Sequence, residues 1–346
     1  MSDLKSQPTE RPPDERRLRA DVTRLARLGR LLVFSVIVAG SLLTFPAATA
    51  WMIAVWIGWH TWLVARRRSG WQPLVACAAI LLVKRAAWLP GLVAMIVALL
   101  AVSGFCVFWR RGADGKWGRL LAWSAVAALW VTWGIMAADW HAAARSGRRV
   151  VLDPTRPVVC LGDSLTAGIP PHGSYTDDLA KRIAVPVVNL GQDGITSAEA
   201  IEKLPALVKA DPQVVVVELG GHDFLKGHGR AATKANLERM IRACRRIGAE
   251  VVLMEIPRGL ITDPYAGLER ELARRHDLEL VSDTPIRRLI LWSPYAPPGM
   301  WLDRTRHLSD DGLHANARGN RVLAEDVAES LARLFGPEIR ADHAQE

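Results

Sequence analysis

Val158-Val159-Cys160-Leu161-Gly162-Asp163-Ser164-Leu165-Thr166-Ala167-Gly168 is the stretch on which the fold turns. Its first four residues are apolar without alternation, as in a strand buried on both faces, and Gly162 closes the run. A serine placed there follows a strand and opens a helix, so its hydroxyl stands exposed while free N–H groups point toward an incoming oxyanion. Asp-Ser after Gly is equally a plain helix cap, and the stretch alone leaves both readings open.

Further short apolar runs lie at 185–190, 214–219, 251–256 and 278–281. Between them fall helical patterns at 177–183, 198–209, 232–247, 266–276 and 316–334. Alternating strand and helix with fully apolar strands predicts a parallel sheet covered on both faces. In such sheets the working residues collect where strand C-terminal ends open into loops.

Near the far end comes Asp310-Asp311-Gly312-Leu313-His314-Ala315-Asn316. Asp311 and His314 are three apart, a spacing that brings both side chains to one face of a turn. A carboxylate there can hold the imidazole through Nδ1 and leave Nε2 to take a proton from a hydroxyl. Asp310 reads as a solvated helix-entry charge. His172, His228 and His307 lie near candidate loops and read as exposed residues without a role.

These two motifs resemble blocks I and V of the GDSL, or SGNH, hydrolase family. The stretch Val187-Val188-Asn189-Leu190-Gly191-Gln192-Asp193-Gly194-Ile195-Thr196-Ser197 is similar to the family's second block, and Val217-Glu218-Leu219-Gly220-Gly221-His222-Asp223 to its third. The resemblance covers about 157–335 and is nearest the thioesterase/lysophospholipase branch. It implies a three-layer α/β/α, flavodoxin-like domain with a parallel sheet, and a serine ester hydrolase. Ser164 would be the nucleophile, His314 the base, Asp311 its orienter, and the oxyanion donors would come from Ser164, Gly194 and the third-block position. That position is Asn in the family and His222 here; a neutral imidazole still offers one N–H, though the ring is bulkier and titrates near neutrality. Trp292, Tyr295 and Trp301, in a Pro-rich stretch before block V, are candidates to line an acyl pocket, and structural packing explains them equally.

The first half is unlike the second. Residues 1–150 carry 20 Lys+Arg against 7 Asp+Glu, whereas the remainder carries 24 against 28, and 12 of the 14 Trp fall between Trp51 and Trp140. The run 31–65 has no Lys, Arg, Asp or Glu; 72–109 is interrupted by Lys84 and Arg85; 120–140 follows Arg119. A helix needs about 20 apolar residues to cross a bilayer, which predicts a transmembrane region over 31–140 with four or five spans and Trp at the run ends. The expected organisation is a basic N-terminal tail (1–30), this helical membrane region, a linker (141–156), the hydrolase domain (157–336) and a C-terminal tail (337–346). A cleavable signal peptide ending near Ala50 is rejected because the apolar sequence continues past Trp51. Tail residues 16–30 read either as an interfacial basic helix or as solvated positive-inside charge.

Membrane lipids and an acyl ester are the expected partners. Nucleic acid is not, because the basic residues flank apolar runs and no recognition motif accompanies them. No Gly-x-Ser-x-Gly, His-Glu-x-x-His, Walker or Cys-x-x-Cys pattern occurs, so neither metal nor other cofactor is implied. Cys77, Cys106, Cys160 and Cys244 do not suggest a disulfide framework. The predicted localisation is a multi-pass integral membrane protein whose domain leans to the extracytoplasmic face. Three functions compete: a hydrolase of lipid, lysophospholipid or thioester acyl groups, an O-acetyl esterase of envelope glycans, and a non-catalytic scaffold or sensor keeping the fold. Oligomeric state is not legible.

Overall fold

The computed structural model describes residues 116–144, 146–259, 263–296 and 299–341, with single positions between 51 and 65. Five strands form one parallel sheet: β1 (Val158–Gly162), β2 (Val187–Asn189), β3 (Val214–Glu218), β4 (Glu250–Met254) and β5 (Glu279–Val281), in the order β2-β1-β3-β4-β5. Each falls on a predicted apolar run. The helices are α1 (Lys116–Ala144), α2 (Ser164–Ala167), α3 (Tyr175–Ala180), α4 (Leu204–Ala210), α5 (Gly221–Leu225), α6 (Arg230–Arg246), α7 (Leu268–His276), α8 (Thr284–Leu291) and α9 (Ala317–Phe335).

Successive strand residues point to opposite faces, so an unbroken apolar strand feeds two cores. Val158, Cys160, Val214, Val216, Val252 and Met254 pack on one side with Leu179 of α3, Leu289 of α8 and Leu323, Val327 and Leu331 of α9. Val159, Leu161, Val215, Val217, Val251 and Leu253 pack on the other with Leu207 of α4, Leu237 and Ile241 of α6 and Leu268 and Leu272 of α7. The expected three layers are thus present. Helix α8 was not foreseen: Pro285 in its first turn pre-sets the helical φ rather than breaking the helix.

The segment after α1 is stitched to the sheet rather than hanging free. Ser146 N–H donates to Glu279 Oε2 at 3.0 Å, Arg148 pairs with Glu250 at 2.8 Å, and Val150 N–H donates to the Leu334 carbonyl at 2.9 Å. Helix α1 itself packs against α7 and β5.

The multi-pass integral membrane reading is corrected here. Among the described residues no helix is long and apolar enough to cross a membrane. The expected spans within 31–115 lie outside the described residues apart from single positions. The expected last span, 120–140, falls within α1. Its low charge suggested it, although the run contains Asp139, and crossing also demands sustained apolar composition. The run is diluted by Trp123, Ser124, Trp130, Trp133 and Gly134. Two of these side chains engage polar partners: Trp130 Nε1 donates to Thr61 Oγ1 at 3.2 Å and Ser124 Oγ to the Leu120 carbonyl at 2.9 Å.

Leu323→Ala, at a fully buried α9 position facing the sheet, is expected to cost about 2–5 kcal/mol. Urea unfolding would show a lowered midpoint at unchanged slope. Val208→Ala, at an exposed position of α4, should stay within about 0.5 kcal/mol. Equal effects of the two would contradict the assignment of the core.

Candidate active site

Because β1 lies between β2 and β3, three strand ends open into adjacent loops. Cys160 pairs with Asn189 of β2, and Gly162 with Glu218 of β3. The one-turn helix α2 begins at Ser164, capped by Asp163, whose Oδ1 accepts from Leu165 N–H at 3.2 Å. Ser164 and Asp163 are both buried, at 5% exposure each. Block II is laced to this turn: Asn189 Nδ2 donates to the Thr166 carbonyl at 2.7 Å and Gln192 N–H to the Gly162 carbonyl at 3.0 Å. Block III abuts it as well, since a Cβ built on Gly221 would lie 3.0 Å from Asp163 Oδ2.

Gly194 sits in the block II turn at φ +72°, with open space where a Cβ would be. Among the described residues its N–H makes no hydrogen bond, and neither does that of Ser164. The turn is fixed by Asp223, the residue after His222. Its fully buried carboxylate accepts from Ser197 N–H at 2.7 Å, from Ser197 Oγ at 2.5 Å and from Thr233 Oγ1 at 3.1 Å. One buried acid therefore ties the loop of Gly194 to the loop of His222. His222 is half-buried in α5, and among the described residues its ring makes no hydrogen bond. Behind it the Arg258 guanidinium, buried with Glu269, donates to the Gly220 carbonyl at 3.0 Å.

On the block V turn, His314 Nδ1 lies 2.6 Å from Asp311 Oδ2. Asp311 Oδ1 also accepts from His314 N–H at 2.7 Å, Leu313 N–H at 2.8 Å and Ser309 Oγ at 3.1 Å. Partial burial opposes ionisation of Asp311, but the His314 N–H, the His314 ring and the Leu313 N–H outweigh it and hold the carboxyl well below the usual carboxylate range. A carboxylate so held can only accept, so Nδ1 carries the proton and Nε2 has its lone pair free. Asp310 faces elsewhere: it meets His172 Nε2 at 3.0 Å and Asn316 Nδ2 at 3.0 Å. His172 thus bridges the loop after α2 to the block V turn, and His307 Nε2 meets the Gly299 carbonyl at 3.0 Å in the interior.

Burial raises the Asp163 carboxyl above its ordinary value, and the Leu165 N–H and the His222 and His314 rings pull it back, so both rings lie within electrostatic reach of the residue beside Ser164. Trp292, Tyr295 and Trp301 do not form an enclosed pocket; they stand exposed, Tyr295 at 74% and Trp301 at 75%, with Tyr295 against Gly312 on the block V turn. The contributions of Asp223, Glu218 and Arg258 were not read from the sequence. The only sequence signal was the presence of acids and a base inside otherwise apolar surroundings. No group of three or more His, Cys, Asp or Glu among the described residues is arranged to hold a metal ion.

The second half of the chain is similar to known proteins. Residues 160–322 match the model of the GDSL-like Lipase/Acylhydrolase family. The chain is 29% identical over 189 residues to the thioesterase 1/protease 1/lysophospholipase L1 of Escherichia coli (strain K12), covering 51% of this chain and 84% of that protein. It is 28% identical over 189 residues to an arylesterase of Vibrio mimicus, covering 51% and 88% respectively. Among solved structures, a crystal structure of TesA aligns over 51% of this chain and 98% of its own at 28% identity, with a TM-score of 0.41. Residues 160–322 are thus a GDSL-like lipase/acylhydrolase domain, and the protein that carries it is a carboxylic ester hydrolase.

Proposed function

We propose that the domain cleaves acyl esters, of lipid, lysophospholipid or acyl-thioester type, through an acyl-enzyme on Ser164. The observation that carries this reading is the His314–Asp311 pair, which presents a lone pair on Nε2 with the imidazole held by an ionised carboxylate. Ser164 Oγ loses its proton to His314 Nε2 as it attacks the carbonyl carbon. Charge then moves onto the carbonyl oxygen, where the N–H groups of Ser164 and Gly194 and a ring N–H of His222 serve as donors. Collapse of the tetrahedral species breaks the bond to the leaving oxygen or sulfur, which takes the proton from His314. Water, deprotonated by the same nitrogen, releases the acid and restores Ser164.

Asp311 orients the ring and stabilises the imidazolium, while Asp310 serves the His172 bridge. The exposed Trp292, Tyr295 and Trp301 form an apolar rim next to the block V turn against which an acyl chain can lie. Names of the similar proteins, a thioesterase/lysophospholipase and an arylesterase, support acyl esters with an apolar component as the substrate class.

Hydrolysis of p-nitrophenyl acetate and of longer p-nitrophenyl acyl esters is expected for the wild type and not for Ser164→Ala; equal rates for the two proteins would end the proposal. Preference for longer chains supports the lipid-directed substrates over an O-acetyl ester. Asp311→Asn should lose on the order of 10³–10⁴ in kcat, as loss of the orienting carboxylate does elsewhere, whereas Asp310→Asn should stay within about tenfold, the effect expected for an exposed pair. The reverse ranking would reassign the carboxylate. His222→Asn should retain activity and His222→Ala should lose on the order of 10² in kcat, the usual loss for one oxyanion donor. An unaffected His222→Ala enzyme removes the ring from the mechanism.

A further inference from the structure

Glu218 is the last residue of β3 and is fully buried, at 0% exposure. Its Oε2 accepts from Asp163 N–H at 3.1 Å and from Thr166 Oγ1 at 3.0 Å. One donor precedes Ser164 and the other follows it by two residues, so a single carboxyl oxygen grips the nucleophile turn on both sides. The space is closed: a Cβ on Gly162, opposite Glu218 in the sheet, would collide with Oε2 and Thr166 Oγ1. Tyr175 OH approaches Thr166 Oγ1 at 3.5 Å from α3, completing a polar cluster inside the core.

Among the described residues Glu218 makes no ion pair. The titratable groups facing it are Asp163 from the β1–α2 turn, Tyr175 from α3 and, beyond Tyr175, Cys160 of β1. Among the described residues Glu218 Oε1 has no hydrogen-bond partner. A carboxylate buried under those conditions would forgo its solvation without a return. Burial first, and the charge of Asp163 second, push the Glu218 carboxyl well above its ordinary range, against the pull of the Thr166 hydroxyl and the Asp163 N–H.

We infer that Glu218 is a positioning residue for Ser164 that works as a neutral carboxylic acid, holding the nucleophile turn through Asp163 N–H and Thr166 Oγ1 without placing a second negative charge beside Asp163. The inference rests on the reading of Ser164 as nucleophile. Neutrality matters because an ionised Glu218 would set a second negative charge against that of Asp163, on the same turn that presents Ser164.

The test compares Glu218→Gln and Glu218→Ala in the full-length chain, with Ser164→Ala as the inactive control. The amide is close to isosteric with the neutral acid and keeps an acceptor, so Glu218→Gln should retain kcat within about threefold and leave the acid limb of the kcat/KM profile in place. Glu218→Ala removes the carboxyl acceptor of the Thr166 hydroxyl and leaves Asp163 N–H only the residue 218 backbone carbonyl at 3.2 Å, and should lose on the order of tenfold or more in kcat. In an infrared difference spectrum at neutral pH, the wild type should show a protonated-carboxyl stretch that Glu218→Gln lacks. The linkage sign gives a third readout. A raised native pKa means that the folded wild type keeps a proton which the unfolded chain releases above about pH 4.3. The wild type therefore loses this contribution to stability as pH rises, the amide variant never carries it, and the gap in Tm should widen in favour of Glu218→Gln. A folded Glu218→Gln enzyme as impaired as Glu218→Ala, a missing carboxyl band, or a folded Glu218→Ala enzyme with wild-type kcat would each overturn the inference. If Glu218→Ala does not fold, the amide variant and its band decide. Wild-type activity no greater than that of Ser164→Ala would instead sink the hydrolase reading, and the band and the Tm trend would still report the state of Glu218.

Discussion

The pairing of β1 between β2 and β3 is the constraint from which the site follows. Parallel strands all end at the same edge, and the register that sets Gly162 against Glu218 and Cys160 against Asn189 leaves three chain segments to turn over within one small area. Residues separated by dozens of positions then meet without any long-range loop having to find its place. Slipping one strand by a single residue would reverse which side chains enter each core, so the two apolar faces enforce the register that the site needs.

Three acids at this edge, Asp311, Asp163 and Glu218, differ in state because they differ in donors and burial, and a fourth, Asp223, serves as a tie. Asp311 is partly solvated and takes hydrogen bonds from two backbone N–H groups, a hydroxyl and an imidazole, so it stays ionised. Asp223 is fully buried but receives Ser197 N–H, Ser197 Oγ and Thr233 Oγ1, which makes it a tie between loops. Asp163 is raised by burial and relieved by a backbone N–H and two imidazoles. Glu218, with two donors on one oxygen and none on the other, lies at the neutral end of the series. Residue type alone would not have ordered them.

The strands were legible because each is an apolar run of roughly the right length, and the local motifs were legible because their partners are close in sequence. Asp311 and His314 are three residues apart, and the choice of Asp311 over Asp310 could be made from spacing. Glu218, Asp223 and Arg258 were not legible for the opposite reason. Glu218 meets Asp163 across 55 residues, Ser197 meets Asp223 across 26, and Arg258 meets Gly220 across 38. Only the fold creates those neighbours. The misreading of 120–140 has a different origin: a run poor in charge was taken as a span, although Trp130 makes a hydrogen bond to Thr61 and Ser124 one within the helix.

His222 shows how an altered residue type can be accommodated while the demands on it change. Its backbone position is set from outside by the Arg258 grip on Gly220 and by Asp223, so the ring needs no hydrogen bond of its own to stay at the edge. An amide offers a donor at every pH, whereas an imidazole offers one N–H when neutral and two when protonated. In the proposed mechanism the oxyanion is better served by a protonated His222, but proton abstraction requires a neutral His314. The Asp311 pair fixes the tautomer of His314 and leaves Nε2 as the base, whereas among the described residues the His222 ring has no hydrogen-bond partner and is left to donate. The site thus separates two chemically identical side chains by what stands on the far side of each ring.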